Sequence, residues 1–88
     1  MAHANEEERQ QFRLSKKVER LNTWLVIKYG PEYRMQLMKF TVDRRISRTK
    51  RHTRIEFGLS VHGVVPQIGP MPFKKLINYL NKELGEKS

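Results

Sequence analysis

The stretch RIEFGLSV, residues 54–61, constrains the fold more than any other part of the chain. Its apolar side chains occupy every second position: Ile55, Phe57, Leu59 and Val61. This alternation predicts a β-strand with one apolar face. A strand needs partners for its backbone hydrogen-bonding groups. The best partner within the chain is residues 33–42, so the two segments predict an antiparallel hairpin.

Residues 33–42, YRMQLMKFTV, are compatible with two local structures. In a strand, the apolar face would switch near Met38, which indicates a bulge or burial on both sides. In a helix, Tyr33, Leu37 and Phe40 would align behind a proline at the first helical position, Pro31. The need of residues 54–61 for a partner favours the strand.

A long amphipathic helix is predicted before the hairpin. Asn5 is a good N-cap and Glu8 follows three residues later, as in a capping box, while Gly30–Pro31 is a stop signal. Asn22 and Thr23 leave open a division of this helix into two. Its apolar face comprises Leu14, Val18, Leu21, Leu25 and Tyr29.

A second amphipathic helix, PFKKLINYLNKELG, is predicted to begin at Pro72 and to close at Gly85. Its apolar face comprises Phe73, Leu76, Ile77, Leu80 and Leu84. Between the hairpin and this helix, HGVVPQIG predicts a short third strand, which Pro66 would confine to an edge of the sheet.

Together these elements predict an α+β fold in the order helix, strand, strand, short strand, helix. A small antiparallel sheet of two or three strands would pack against the N-terminal and C-terminal helices. Residues 12–85 would form one domain, residues 1–11 an acidic, polar extension or the first helical turns, and residues 86–88 a tail. We expect burial of Leu21, Leu25, Phe57, Leu59, Leu76 and Leu80. Phe12, Trp24 and Phe73 also fit the core, whereas Tyr33 and Tyr79 are the plausible exposed rings.

The stretch DRRISRTKRHTR, residues 43–54, forms the tip of the predicted hairpin. It holds six of the 18 Lys and Arg residues and one acid, in a chain of net charge +9. Such a charge attracts polyanions, and we expect a mobile loop that phosphates would order. The predicted nucleic-acid contacts are Arg44, Arg45, Arg48, Lys50, Arg51, His52 and Arg54, joined by Lys74 and Lys75 where the last helix begins. The stretch has no aromatic residue, which favours phosphate contact over base stacking.

These patterns predict a nucleic-acid-binding module that contacts mainly the phosphate backbone. An alternative is an adaptor that docks on an acidic protein surface. A less favoured alternative is a small nuclease or toxin in which His52 would work with Asp43 or Glu56. The chain has no Cys, and its three His have no metal-ligand spacing, so we expect no metal site, no cofactor, no catalytic residues and no enzyme activity.

The composition also predicts the cellular setting. No apolar run approaches the roughly 18 residues that span a membrane, and the acidic, polar start is unlike a signal peptide. We therefore expect a soluble intracellular protein of the cytoplasm, nucleoid or nucleus that binds DNA or RNA, or an acidic protein, and no membrane. A homodimer is left open.

The predicted element order is similar to the layout of the double-stranded-RNA-binding domain. That family contacts RNA through its first helix, the loop after its first strand and lysines that open its last helix, a place that Lys74 and Lys75 hold here. The final helix of that family is alanine-rich with spaced lysines, whereas FKKLINYLNKEL has no alanine. A short loop between strands carries a Gly-Pro and a His in the family, whereas the Gly-Pro here precedes the first strand. The resemblance therefore concerns layout alone.

Overall fold

A computed structural model of the protein describes residues 5–45 and 47–85, and only the backbone of Arg44. Helix α1 spans Glu6–Tyr29 and is followed by a single 3₁₀ turn, Pro31–Tyr33. Strands β1, Gln36–Arg45, and β2, Arg51–Ser60, are followed by β3, Ile68–Met71, and helix α2, Phe73–Glu83. The predicted α+β order is confirmed. The outer part of the predicted N-terminal extension, residues 1–4, and the predicted tail, residues 86–88, lie outside the described residues.

The three strands form one antiparallel sheet in the order β1-β2-β3. β1 and β2 pair without interruption from Gln36 opposite Ser60 to Arg45 opposite Arg51. Residues 36–42 are therefore a strand and not an α-helix, and Tyr33 ends the 3₁₀ turn. β3 is shorter and pairs Ile68 with Leu59 at one end and Met71 with Phe57 at the other. β3 therefore runs toward the β1–β2 turn and leaves the outer part of β2 without a second neighbour.

Both helices pack on the same side of the sheet, which we name the inner face. Phe57 and Leu59 project from β2 into the core, where both are fully buried. The helices contribute the remaining core residues: Leu14, Val18, Leu21, Leu76, Ile77 and Leu80. Leu25, which was predicted to be buried, is partly buried against this cluster.

The two helices run parallel to each other. Near their starts, the guanidinium of Arg13 lies 5.3 Å from the centre of the Phe73 ring. Near their ends, Arg20 and Trp24 of α1 line the same cavity as Lys82. The N-termini of both helices therefore lie at one end of the fold.

Helix α1 is continuous through Asn22 and Thr23, so these residues do not divide it. The Asn22 side chain is buried, and its Nδ2 donates to the Met35 carbonyl at 2.8 Å. The Met35 N–H donates in turn to Asn22 Oδ1 at 2.7 Å. Thr23 Oγ1 donates to the Glu19 carbonyl at 3.0 Å, within the helix. Asn22 therefore links the helix to the residue that precedes β1, whereas Thr23 bonds only within the helix.

The segment between β2 and β3 covers the opposite side of β2, which we name the outer face. Ser60 Oγ donates to the Val65 carbonyl and accepts from the Gly63 N–H, both at 2.8 Å. Gly58 has no side chain to displace this cover. The predicted short strand therefore lies later in the chain than HGVVPQIG indicated: only its last two residues are in β3, and Pro66 is in the covering segment.

Several aromatic residues differ from their predicted environment. Phe12 and Trp24 were expected in the core but are 62% and 52% exposed. Tyr33 is exposed as expected, whereas Tyr79 is partly buried against the core. The spacing of apolar residues predicts which side of a helix is buried, but not how many residues around that side are covered. In α1 the buried apolar residues are Leu14, Val18 and Leu21, which meet the sheet and α2.

Candidate functional site

The strand ladder continues into the basic stretch. Residues 43–54, which we name the hairpin end, were predicted to be a long mobile loop, but the pairing extends to Arg45 opposite Arg51. Residues 47–50 belong to the turn between the two strands. Within it the Ser47 N–H donates to the Lys50 carbonyl at 3.3 Å, and the Lys50 N–H donates to Ser47 Oγ at 3.1 Å. Most of the predicted contact residues therefore lie on, or next to, a regular two-stranded ribbon.

Both helices begin near the same cross-strand pair of this ribbon, Lys39 and Phe57. Glu7, in the first turn of α1, binds Lys39 with an Oε1–Nζ distance of 2.7 Å. Helix α2 begins at Phe73, two residues after Met71, which lies opposite Phe57. Lys39 and Phe57 are themselves cross-strand partners. The helix layer therefore starts near this one pair, and the ribbon continues past it.

The hairpin end projects beyond the helices and beyond β3. The Arg45–Arg51 pair lies six positions past Lys39, a separation of about 20 Å along an extended strand. Within the hairpin end, the described side chains other than Arg54 are exposed, including Asp43, His52 and Thr53. A projecting ribbon of this kind can enter a groove in a partner.

The inner face of the hairpin end carries both signs of charge. Arg45 and Arg51 are direct cross-strand partners, and with Asp43 they line a shallow cavity of about 260 Å³. Thr53 Oγ1 donates to Asp43 Oδ1 at 2.7 Å across the next pair on this face. Like charges placed directly opposite each other destabilise a strand pair. The Arg45–Arg51 pair is therefore unfavourable for strand pairing on its own, whereas Asp43 supplies a negative charge in the same cavity.

On the outer face of the hairpin end, one of the predicted contact residues is partly buried and lies near an acid. Arg54 is half-buried, and its Nε lies 3.8 Å from Oε2 of the buried Glu56. That Nε has no hydrogen-bond partner in the part of the chain that the structure describes. His52 lies two residues further out and is exposed. Arg54 therefore contributes less free positive charge than its place in the sequence indicated.

The register separates His52 from the acids that could assist it. Asp43 pairs with Thr53, so its side chain lies on the opposite face of the ribbon from that of His52. Glu56 is on the same face as His52, but four positions away along β2, or about 13 Å, and is buried. Neither acid is placed to form an acid–base pair with His52.

Lys74 and Lys75 form a second basic site. Both are exposed in the first turn of α2, whose N-cap, Pro72, offers no side-chain hydrogen bond. Since α2 begins level with Phe57, the two lysines lie at the end of the fold from which the ribbon projects. The structure places five of the predicted contact residues together on the hairpin end: Arg45, Arg48, Lys50, Arg51 and His52. Lys74 and Lys75 lie apart from them, on the helix layer.

Two basic residues near this site are not among the predicted nucleic-acid contacts. Lys39 lies on the inner face, and Arg13 lies beside Phe73. Alternation along β1 could have placed Lys39 on the same face as Asp43 and Arg45. The neighbour of Arg13 depends on how the two helices pack, which no local pattern encodes.

The end of α1 away from the hairpin end carries a small aromatic cluster. The rings of Trp24 and Tyr29 lie 6.4 Å apart edge to face, and those of Tyr29 and Tyr33 lie 5.5 Å apart. Lys28 Nζ lies 4.6 Å from the centre of the Trp24 ring. These exposed rings are therefore remote from the basic ribbon and do not form a base-stacking platform with it.

Other kinds of site have less support. Within residues 5–45 and 47–85, no three His, Cys, Asp or Glu residues converge as they would around a metal ion. Among the described helices, none has the length and apolar character needed to cross a membrane. No protein-family model matches the sequence, and neither a curated protein nor a solved structure is significantly similar to it.

Proposed function

We propose that this protein binds nucleic acid, mainly through the phosphate backbone, with the hairpin end as its primary contact. The observation that carries the proposal is the Arg45–Arg51 pair on a ribbon that projects about 20 Å past the helix layer. Two arginines face each other there, although a neutral pair would stabilise the strands better. Phosphates between or beside them would replace this repulsion with attraction.

The neighbouring charges support the same partner class. Arg48 and Lys50 are exposed in the turn, so the outermost part of the ribbon is positive. Guanidinium groups donate two parallel hydrogen bonds to a phosphate, which suits the repeated oxygens of a nucleic-acid backbone. The surrounding field of a chain with net charge +9 would also speed encounter with a polyanion.

Lys74 and Lys75 supply the second contact in this proposal. The first turn of a helix presents free N–H groups and the positive end of the helix dipole, and both favour phosphate. This helical turn lies at the end of the fold from which the hairpin end projects. One polyanion can therefore contact the first turn of α2 and the hairpin end at the same time. Lys39 is held by Glu7 and is not required for this arrangement.

A salt series with matched triple variants tests the proposal. Wild-type protein should bind a short duplex with a slope of log K against log salt of about −4 to −5, if about five phosphates are contacted. Arg45, Arg48 and Arg51 replaced together by Ala should flatten this slope by up to about three units. The measurement is fluorescence anisotropy between 50 and 200 mM salt.

The control removes the same charge from the other end of the fold. Lys28, Arg34 and Lys82 are exposed near the far ends of the helices, and their triple Ala variant should keep a slope close to that of the wild type. Equal slopes for the two triple variants would show that only net charge matters. An absence of binding to any duplex or single strand at 50 mM salt would overturn the proposal and favour an acidic protein partner.

A further inference from the structure

We infer that the hairpin end enters the major groove of duplex DNA as a two-stranded ribbon, with Asp43, Arg45 and Arg51 facing base edges that include cytosine and guanine. This inference rests on the proposed function and narrows it to one kind of nucleic acid and one groove. It assigns to Asp43 a role in sequence preference that phosphate binding alone does not require.

The shape of the ribbon supports the choice of groove. β3 pairs only with residues 57–59 of β2, and both helices begin near the Lys39–Phe57 pair, so the hairpin end stands clear as a ribbon two strands wide. The major groove of B-form DNA is about 12 Å wide and 8.5 Å deep and admits a two-stranded ribbon, whereas the minor groove is about 6 Å wide. A projection of about 20 Å is long enough to reach its floor.

The same shape disfavours duplex RNA and single strands. In an A-form helix the major groove is too narrow for side chains to read, and the accessible minor groove is shallow. A narrow ribbon would meet that shallow surface with its tip alone. Single strands are bound by stacking on aromatic rings, and residues 43–54 contain no Phe, Tyr or Trp.

The chemistry of the inner face supports contact with bases. A carboxylate beside two arginines weakens a site for phosphate, so Asp43 does not suit a surface that contacts only the phosphate backbone. Arg donates to guanine O6 and N7, and Asp accepts from cytosine N4. The Thr53 hydroxyl donates to Asp43 Oδ1, and an ionised carboxylate retains acceptor capacity beyond this one bond. Asp43, Arg45 and Arg51, which line one cavity, therefore match the two partners of a G·C pair.

Blocking the major groove tests the placement of the ribbon. The probes are random-sequence duplexes with ordinary cytosine, the same duplexes with glucosylated 5-hydroxymethylcytosine, duplex RNA, and single strands. The sugar fills the major groove and leaves the phosphates and the minor groove unchanged. We expect the modified duplex, duplex RNA and single strands to bind the wild-type protein about fivefold to a hundredfold more weakly than the ordinary duplex, which is the range that one good contact with a base edge contributes. Equal affinity for the blocked duplex, or tighter binding to RNA or to single strands, would overturn the inference.

Selection from a random duplex pool tests the role of Asp43. Wild-type protein should enrich a motif with G·C pairs. Asp43→Asn, which keeps an oxygen for Thr53, should lose the cytosine preference at one position by about fivefold to a hundredfold. Glu32→Gln removes the same charge at an exposed position at the other end of the fold and should leave the motif unchanged. Uniformly tighter binding of Asp43→Asn to all sequences, with no change in motif, would show that Asp43 only balances charge.

These outcomes separate the two proposals. Binding that follows salt and the triple arginine variant, yet ignores the groove block, would leave phosphate binding in place and reject entry into the groove. If the wild-type protein binds none of the probes, the proposed function itself is wrong.

Discussion

The side-chain amide of Asn22 bonds both hydrogen-bonding groups of the Met35 main chain. Its Nδ2 donates to the Met35 carbonyl at 2.8 Å, and its Oδ1 accepts from the Met35 N–H at 2.7 Å. Met35 directly precedes β1, where the sheet ladder has not yet begun. Asn22 therefore supplies to this residue the pairing that a neighbouring strand would give, and it fixes where the first strand leaves the helix.

Asn22→Ala should destabilise the fold by about 2–4 kcal/mol, because it leaves a donor and an acceptor of Met35 in a part-buried site without partners. Thr23→Ala is the matched control: Thr23 is exposed and bonds only within its own helix, so its loss should change stability by less than about 0.5 kcal/mol. Urea denaturation of both variants measures the difference. Equal stabilities would mean that the Asn22 contact adds nothing to the folded state.

The same residue shows where sequence reasoning reached its limit. A polar Asn-Thr pair in an amphipathic helix is compatible with a break, and no local pattern indicates that the amide meets a main chain thirteen residues later. Alternation in RIEFGLSV, by contrast, specified the strand and the face that meets the helices, because period-two hydrophobicity is a local property. It did not indicate that Glu56 and Ser60, on the other face, are buried as well. Phe57 and Leu59 are fully buried on the side where the helices pack.

The hairpin end shows a second limit. Charge density in residues 43–54 predicted a loop, since repelling side chains disfavour order, but the backbone ladder continues as far as Arg45 and Arg51. The register of the pairs next to the core is kept along the whole ribbon, so the charged residues pair as a continuation of the same two strands. The basic residues could be identified from the sequence, whereas their division between two faces required the register.

Leu59→Ala should lower stability by about 2–5 kcal/mol, because Leu59 is fully buried between the sheet and the helices. A small domain has a total stability of only about 5–15 kcal/mol, so the melting temperature should fall visibly. Val64→Ala is the control, since Val64 is 76% exposed, and it should melt close to the wild type. Circular dichroism on heating distinguishes the two. A melting curve for Leu59→Ala that matches the wild type would show that the inner face is assigned incorrectly.

Gly58→Ala should loosen β3 and the segment that covers the outer face. A Cβ at this position would lie 2.8 Å from the Ile68 carbonyl oxygen and 3.2 Å from Cβ of Pro66, so the edge strand has to shift. We expect a loss of about 1–3 kcal/mol, typical of an overpacked site. Hydrogen exchange of the β3 amides should speed up more than exchange between β1 and β2, which serves as the internal reference. An equal increase in exchange rate for the β3 amides and for the β1–β2 amides would contradict a local effect on β3.

Stability should decline as the pH rises above about 10, in part because of Tyr79. Burial raises the pKa of the Tyr79 hydroxyl above 10.0, and the Glu83 carboxylate adds to the shift. The unfolded chain then releases this proton at lower pH than the folded one, so the stabilising contribution is complete below pH 10 and is lost as the pH climbs through the folded-state pKa. Tyr79→Phe should flatten the alkaline decline, whereas Tyr33→Phe, at an exposed ring, should leave it unchanged. Denaturation midpoints between pH 8 and 11 measure this, and parallel curves for Tyr79→Phe and the wild type would contradict it.

Arg51→Glu should stabilise the free protein while weakening its binding to nucleic acid. In the wild type Arg51 lies directly opposite Arg45, and an opposite charge at that position would convert a repulsive cross-strand pair into an attractive one worth about 0.2–1 kcal/mol. Arg48→Glu makes the same change of charge in the turn, outside the paired strands, and is the matched control for net charge. Both variants should lose affinity for duplex DNA, because each removes a phosphate-binding group and adds a repelling one. Only Arg51→Glu should raise the denaturation midpoint, and the gain should shrink as salt screens the pair. A fall in stability for Arg51→Glu would mean that the two arginines do not repel each other in the folded protein, and the proposed reason for their pairing would be wrong.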